Sequence, residues 1–283
     1  MLLVAGGQLD PNIGILLRRV LERKLNFRDL LVGPQLQPRL SIDVRSGNLT
    51  LEGESIQPSG CFIRHDVFLQ QKTGSAADST AALNWYYAVR GWSTVHSDVQ
   101  LFNRNSYLSE NNKIENLCLA LKCGLQIPDT IVTNDFSIVS SPGWIQKPVA
   151  GGSFTTTLDD FLNESSVNRS DFPRFLQRRM QRPELRVYRI GSTMVAFTIT
   201  SPDLDYREAH RAVIELAEVP SNVASGLLVL TDKLGLDFAA ADFMRDEAGD
   251  LRFLEVNSQP MFAAFDRVAN GSISDAIIDF LTP

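Results

Sequence analysis

Hydrophobic and polar positions change rhythm several times along the chain. The opening "MLLVAGGQLDPNIGILLRRVLERKL" runs from an unbroken apolar stretch through Gly6 and Gly7 into apolar residues at 13, 16, 17, 20 and 21, which predicts a strand, a tight turn and a helix. "LSIDVRSGNLTLEG" alternates around Ser46 and Gly47 and predicts a hairpin. "CFIRHDVF" predicts a strand that ends in Arg64, His65 and Asp66. The small, polar residues 72 to 80 predict a loop before the helical "AALNWYYAVRGW". From Asn103 onward a Ser109 or Asn111 cap, apolar residues at 114, 117, 118 and 121, and Gly124 as a stop predict a further helix, followed by a short strand in "IPDTIVTN". The pattern divides near residue 100, into an N-terminal α/β domain (1–100) and a C-terminal α+β part.

Composition narrows the class. The chain has 283 residues, 44% of them apolar, and a formal charge of −6, which supports a substantial core and argues against a nucleic-acid partner, whose phosphates attract basic surfaces. Three cysteines without a CxxC pair and three scattered histidines indicate neither a disulfide framework nor a zinc site. The apolar start is too short for a signal peptide or a membrane span, so a cytoplasmic protein without a membrane partner is expected.

Candidate chemistry concentrates in "DFMRDEAGDLRFLEVNSQPMF", residues 242 to 262. A turn at 246–249 puts Asp242 opposite Glu255, and Asn257, two residues on, shares that face, while Leu254 and Val256 point the other way. Paired carboxylates repel unless a cation separates them. Oxygen ligands without His or Cys select Mg2+ or Mn2+, and Mg2+ commonly brings nucleotide phosphates. The alternative is an ion pair with Arg245, Arg252 or Arg267. Upstream, Lys147 followed by Gly151, Gly152 and Ser153 matches either a phosphate-holding loop or a plain glycine turn. "RFLQRRMQRPELRVYRIG" carries six arginines; Arg174, Arg182 and Arg189 read as a solvated strand edge, with Arg186 and, further on, Arg207 as anion clamps. The Arg64, His65 and Asp66 triplet reads equally as a solvated loop or as a substrate-contacting cleft wall at a strand end.

In this order, "NKIENLCLALKCGLQIPDTIVTN", "WIQKPVAGG", "LQRRMQRPELRVYRIG", "DYR" and "LGLDFAAADFMRDEAGDLRFLEVNSQPM" resemble the ATP-grasp superfamily, and within it the ribosomal-protein glutamate ligases (RimK-like) and the microviridin-type graspetide ligases. The resemblance covers residues 103 to 262. It implies a Rossmann-like N-terminal domain (1–100), a central lid (101–190) and a C-terminal ATP-grasp domain (191–283). It further implies that Lys113 and Lys147 contact ATP phosphates under a loop at Gly151, Gly152 and Ser153. Gln177, Arg179 and Met180 would form the adenine hinge, with Glu184 on the ribose. Arg186 and Arg207 would lie near the γ-phosphate and acylphosphate, with Lys147 beside them, and Asp242, Glu255 and Asn257 would hold magnesium. The implied activity is ATP-dependent joining of a carboxylate to an amine or hydroxyl, on a peptide or amino acid such as a ribosomal precursor peptide, by a protein that could be a homodimer. The alternatives are a small-molecule kinase on the same fold and a non-catalytic ATP-binding regulatory protein. "NRNSY" stands where many relatives have Asn-Arg-Pro, and the loop after Lys147 is short.

Overall fold

The computed structural model describes residues 1–68, 74–106, 112–140, 142–149, 155–165, 168–202 and 212–283. Gly151, Gly152, Ser153 and Arg207 lie outside the described residues, as do Ser109 and Asn111.

Strand β1 (Leu2–Gly7) is buried along its whole length, which is why its sequence is continuously apolar rather than alternating. It pairs in parallel with β2 (Phe27–Val32) and β6 (Gly60–Ile63), and β6 pairs in parallel with β7 (Gln100–Leu101), giving the order β2-β1-β6-β7. Gly6 and Gly7 belong to the strand, not to a turn. They permit close approach: a Cβ on Gly7 would come within 2.2 Å of Asp66, and one on Gly6 within 2.8 Å of Ile13. Helix α1 (Pro11–Glu22) starts on Asp10, whose carboxylate accepts the Asn12 N–H, with proline at the first position, where no N–H is needed. The predicted hairpin forms as β3 (Leu40–Asp43) and β4 (Asn48–Leu51), with Gly47 at φ 76°, and β5 (Glu54–Ile56) completes a small sheet. Helix α2 (Ala76–Val95) begins earlier than the polar composition suggested and packs on β1 and β6.

A second, antiparallel sheet has the order β10-β9-β11-β8, built from β8 (Thr130–Asp135), β9 (Trp144–Pro148), β10 (Thr156–Thr157) and β11 (Arg169–Arg178), with α4 (Leu158–Ser165) against β9. The preceding helix, α3 (Lys113–Lys122), is capped by Asn112, whose Oδ1 accepts the amides of Ile114 and Glu115 at 3.0 and 3.2 Å.

The third sheet is five-stranded and antiparallel: β14 (Val213–Ala217), β13 (Thr193–Thr200), β12 (Gln181–Ile190), β15 (Phe238–Arg245) and β16 (Leu251–Asn257), in that order. Both faces are covered. Tyr188, Phe197 and Ala240 share one core with α1, α6 (Ala263–Val268), α7 (Ser272–Leu281) and β1, which joins this sheet to the N-terminal one. Leu185, Val187, Ala241, Phe243 and Phe253 face α3 and α5 (Ser221–Lys233). Arg189, expected at a solvated edge, is instead 9% exposed and donates to Thr231 Oγ1 at 2.6 Å and Asp232 Oδ1 at 2.5 Å, anchoring α5.

Candidate active site

The hairpin register pairs Asp242 with Glu255, as expected, and Ala240 with Asn257, but it reaches these pairs through a shift of one residue rather than from the turn alone. Beyond that point Phe243 pairs with Phe253, so Leu254 has no opposite number. This bulge corrects the expected alternation: Phe253 and Val256, three residues apart, both face the core, and Leu254 does not join it. The neighbouring register places Arg186 opposite Asp242. One row therefore crosses three strands as Arg186, Asp242 and Glu255.

Asp242 is buried and held by Arg186 as a fork, Nε to Oδ1 at 2.6 Å and Nη2 to Oδ2 at 2.8 Å. The arginine paired with this carboxylate is thus on β12. Arg252 instead donates to Asp246 at 2.5 Å in the turn, and Arg245 to the Gly249 carbonyl at 2.6 Å. Glu255 faces the start of α3, with Lys113 Nζ 3.9 Å from Oε2, and its Oε1 accepts from Asn257 Nδ2 at 3.3 Å. Lys147 reaches in from β9 and donates to Gln177 Oε1 at 3.2 Å; Gln177 in turn donates to Thr130 Oγ1 at 2.9 Å. The Gln177 side chain, rather than only its backbone, steers the lysine.

The electrostatics of this cluster are crowded. Burial works against ionisation of Glu255, but the charges of Lys147 and Lys113, the Asn257 amide and Arg186 together hold its carboxyl below the usual range. Burial pulls the Lys147 ammonium down, assisted by Lys113 and opposed by Glu255 and Asp242. Glu184, two residues before Arg186, is pushed up to about 8 by burial and by the Asp242 charge, against the pull of Arg186 and Arg182.

No protein-family model and no curated protein matches this sequence. Solved structures do. The ATP-grasp ligase PsnB complexed with minimal precursor is 22% identical and superposes with a TM-score of 0.79, covering 99% of this chain and 98% of that one. The complex of PsnB with minimal precursor, Mg and ADP superposes with a TM-score of 0.72 at 22% identity, covering 100% and 98%. A Chryseobacterium gregarium RiPP-associated ATP-grasp ligase, in complex with ADP and a leader and core peptide, is 21% identical with a TM-score of 0.76, covering 99% and 96%. The chain shares the ATP-grasp fold of these structures.

Within the ATP-grasp fold the candidate residues separate into two groups. Lys113, Lys147, Glu184, Arg186, Asp242, Glu255 and Asn257 are mutually coupled by charge or hydrogen bonding where the second and third sheets meet. Arg179 and Met180 form the β11–β12 connection, where the Arg179 amide donates to the Gly143 carbonyl at 2.9 Å, and Gln177, near the end of β11, links the two groups through Lys147. The triplet at the end of β6 stands apart. Arg64 is 4% exposed and donates to Asp10 Oδ2 and to the Pro260 carbonyl, both at 2.9 Å. The His65 amide donates to Gln259 Oε1 at 3.1 Å, and burial lowers the affinity of its ring for a proton. Asp66 Oδ1 accepts the Phe68 amide at 2.8 Å.

The donor set suits a hard divalent cation. Among the described residues no three His, Cys, Asp or Glu side chains form a metal-binding group, so the set depends on the Asn257 amide oxygen. Asn257 donates its amide nitrogen to Glu255 Oε1 at 3.3 Å, so its oxygen is not the atom turned toward that carboxylate. The fork from Arg186 engages both Asp242 oxygens.

Sequence reasoning missed Asn12, Asn103 and Tyr188, which grip the segment after Asn257. Asn12 Oδ1 accepts the Phe262 and Ala263 amides at 2.6 and 2.8 Å, and Tyr188 Oη donates to the Met261 carbonyl at 2.6 Å. Their only signal was a polar residue beside an apolar run, which equally marks a helix cap or a turn.

Proposed function

We propose that this protein is an ATP-dependent ligase that joins a carboxylate to an amine or hydroxyl on a peptide, with Mg2+ held by Asp242, Glu255 and Asn257. The observation that carries the reading is the row Arg186, Asp242 and Glu255 with Lys113 and Lys147 converging on it, three cations around a pair of hard carboxylates. Such a balance suits a polyanion arriving with its metal. Solved relatives of this fold bound to ADP, magnesium and precursor peptides support the choice of nucleotide and of peptide.

Magnesium, when bound, neutralises charge on the transferring phosphoryl group. A substrate carboxylate oxygen bonds to the γ-phosphorus as the bond to ADP breaks. The amine nitrogen or hydroxyl oxygen then bonds to the acyl carbon, phosphate leaves with the former carboxylate oxygen, and the nucleophile's proton passes to solvent. Lys113 and Lys147 bind phosphate oxygens in this scheme, and Gln177 holds Lys147 in place. Arg186 exchanges part of its fork on Asp242 for phosphate oxygen, and burial of the site excludes water from the activated acyl group. Gly151, Gly152, Ser153 and Arg207 belong to the same proposal as the covering loop and a second clamp. Gln177, Arg179, Met180 and Glu184 are assigned to the adenosine.

The test is incubation with ATP, Mg2+ and synthetic peptides carrying Asp or Glu together with Lys, Ser or Thr. The expected result is peptide-dependent release of ADP and phosphate, with loss of one water from the peptide per bond formed. Glu255→Gln should abolish it without changing the circular dichroism spectrum. A phosphorylated peptide with no loss of water would instead identify a kinase.

A further inference from the structure

The hairpin that carries the carboxylates has a closed end at its turn and an open end at Phe238 and Ser258. Asn103, just beyond β7, spans that open end. It is 8% exposed, and its backbone sits at φ 52°, a left-handed conformation that asparagine tolerates better than most residues. Its Oδ1 accepts the amides of Asp237 and Phe238, both at 2.9 Å, and its Nδ2 donates to the carbonyls of Phe238 at 2.8 Å and Ser258 at 2.9 Å. Both donors and both acceptor sites of the side chain are used. Its own amide donates to Asp237 Oδ1 at 2.6 Å, and its carbonyl accepts from Arg90. Four bonds from one buried amide to two strand ends exceed what closing a loop requires.

We infer that Asn103 is a positioning residue for the metal ligands: by tying the Ser258 carbonyl to the start of β15, it fixes the end of β16, and with it Asn257 and Glu255, relative to Asp242. This rests on the proposed assignment of those three side chains to magnesium. The bulge at Leu254 makes the clamp necessary, because it interrupts the ladder between the turn and Glu255. The turn cannot set the register of the last residues by itself, so the open end needs its own constraint.

The experiment is calorimetric titration of ADP at a series of Mg2+ concentrations. It compares the intact protein with Glu255→Gln, Asn103→Gly, Asn103→Asp and Tyr188→Phe. Glycine keeps the left-handed backbone and deletes the clamp, whereas aspartate keeps an acceptor for the two amides and removes both donors. In both Asn103 variants the Mg2+ needed for half-maximal enhancement of ADP binding should rise about tenfold, the usual scale for losing a group that orients a metal ligand. ADP affinity without Mg2+ should stay unchanged. Tyr188→Phe releases the Met261 carbonyl, further along the chain, and should leave the Mg2+ requirement as it was. If Mg2+ does not enhance ADP binding to the intact protein, or Glu255→Gln binds like it, the metal assignment fails. If that enhancement is present and lost in Glu255→Gln, but both Asn103 variants keep the normal requirement, the positioning role fails alone. A shift in Tyr188→Phe equal to theirs, or two Asn103 variants that do not fold, would make Asn103 part of general stability and overturn the inference.

Discussion

Asn257 divides two neighbouring stretches that treat polar groups in opposite ways. Before it, the row through Arg186, Asp242 and Glu255 crowds like and unlike charges together, with the Glu184 carboxyl raised by burial and the Asp242 charge and the Lys147 ammonium pulled down by burial. After it, the segment 258–263 has the carbonyls of Ser258, Pro260 and Met261 and the amides of Phe262 and Ala263 each matched to a side chain. The first stretch is strained by charge and the second is saturated. A binding site for a charged ligand must tolerate an imbalance that the ligand corrects, and the chain beside it must be rigid enough to hold that imbalance in shape.

Three substitutions probe this contrast, and Asp242→Asn should have the largest effect. It leaves the buried Arg186 guanidinium without its fork partner, and breaking a buried pair on one side costs about 3 kcal/mol or more. Denaturant unfolding of the ligand-free protein would measure the loss, and the Glu184 carboxyl should titrate lower in the variant because the Asp242 charge that raises it is gone. Unchanged stability would mean that the row is not under the tension described.

Asn12→Ala tests the saturated side. It strands the Phe262 and Ala263 amides in the interior, and a buried donor left unpaired costs about 1–3 kcal/mol. The melting temperature should fall while Mg2+ and ADP binding persist. A loss of binding with no loss of stability would reverse the roles given to the two stretches.

Glu184→Gln should have the smallest effect of the three near pH 4.5, and an effect that grows as pH rises. A carboxyl raised from 4.5 to about 8 binds its proton more tightly in the folded protein, so its contribution is fully present below pH 4.5 and is lost as pH rises toward 8. The glutamine variant should therefore match the parent protein near pH 4.5 and become progressively more stable than it up to pH 8. A constant difference across that range would show that Glu184 does not carry the raised affinity.

The carboxylate pair and Asn257 were legible in the sequence because a short turn brings the two strands side by side, and oxygen donors stand out where apolar residues are due. Arg186 was visible as an anion clamp but not as the partner of Asp242, since that pairing joins strands 56 residues apart and the sheet order decides it. Leu254 is apolar like its neighbours, so composition does not mark the bulge. Arg64 read equally as part of a solvated loop or of a cleft wall, because it closes a strand where an open α/β sheet places ligands. Its partners Asp10 and Pro260 are distant in sequence, and only the packed fold reveals a strut. The parallel sheet was readable from the buried apolar runs of β1 and β6, whereas the Asn112 cap fell one residue beyond the cap positions the pattern suggested.

The unopposed Leu254 has a consequence for transplanting this hairpin into another scaffold. The strand is out of phase with itself: Leu251 and Phe253 on the turn side and Val256 on the far side share one face only because a residue is skipped between them. A regular hairpin aligned on its turn half would carry the same letters, yet point Glu255 and Asn257 into the apolar layer and Val256 into the cleft. Copying the motif without its extra residue would preserve the text and invert its meaning.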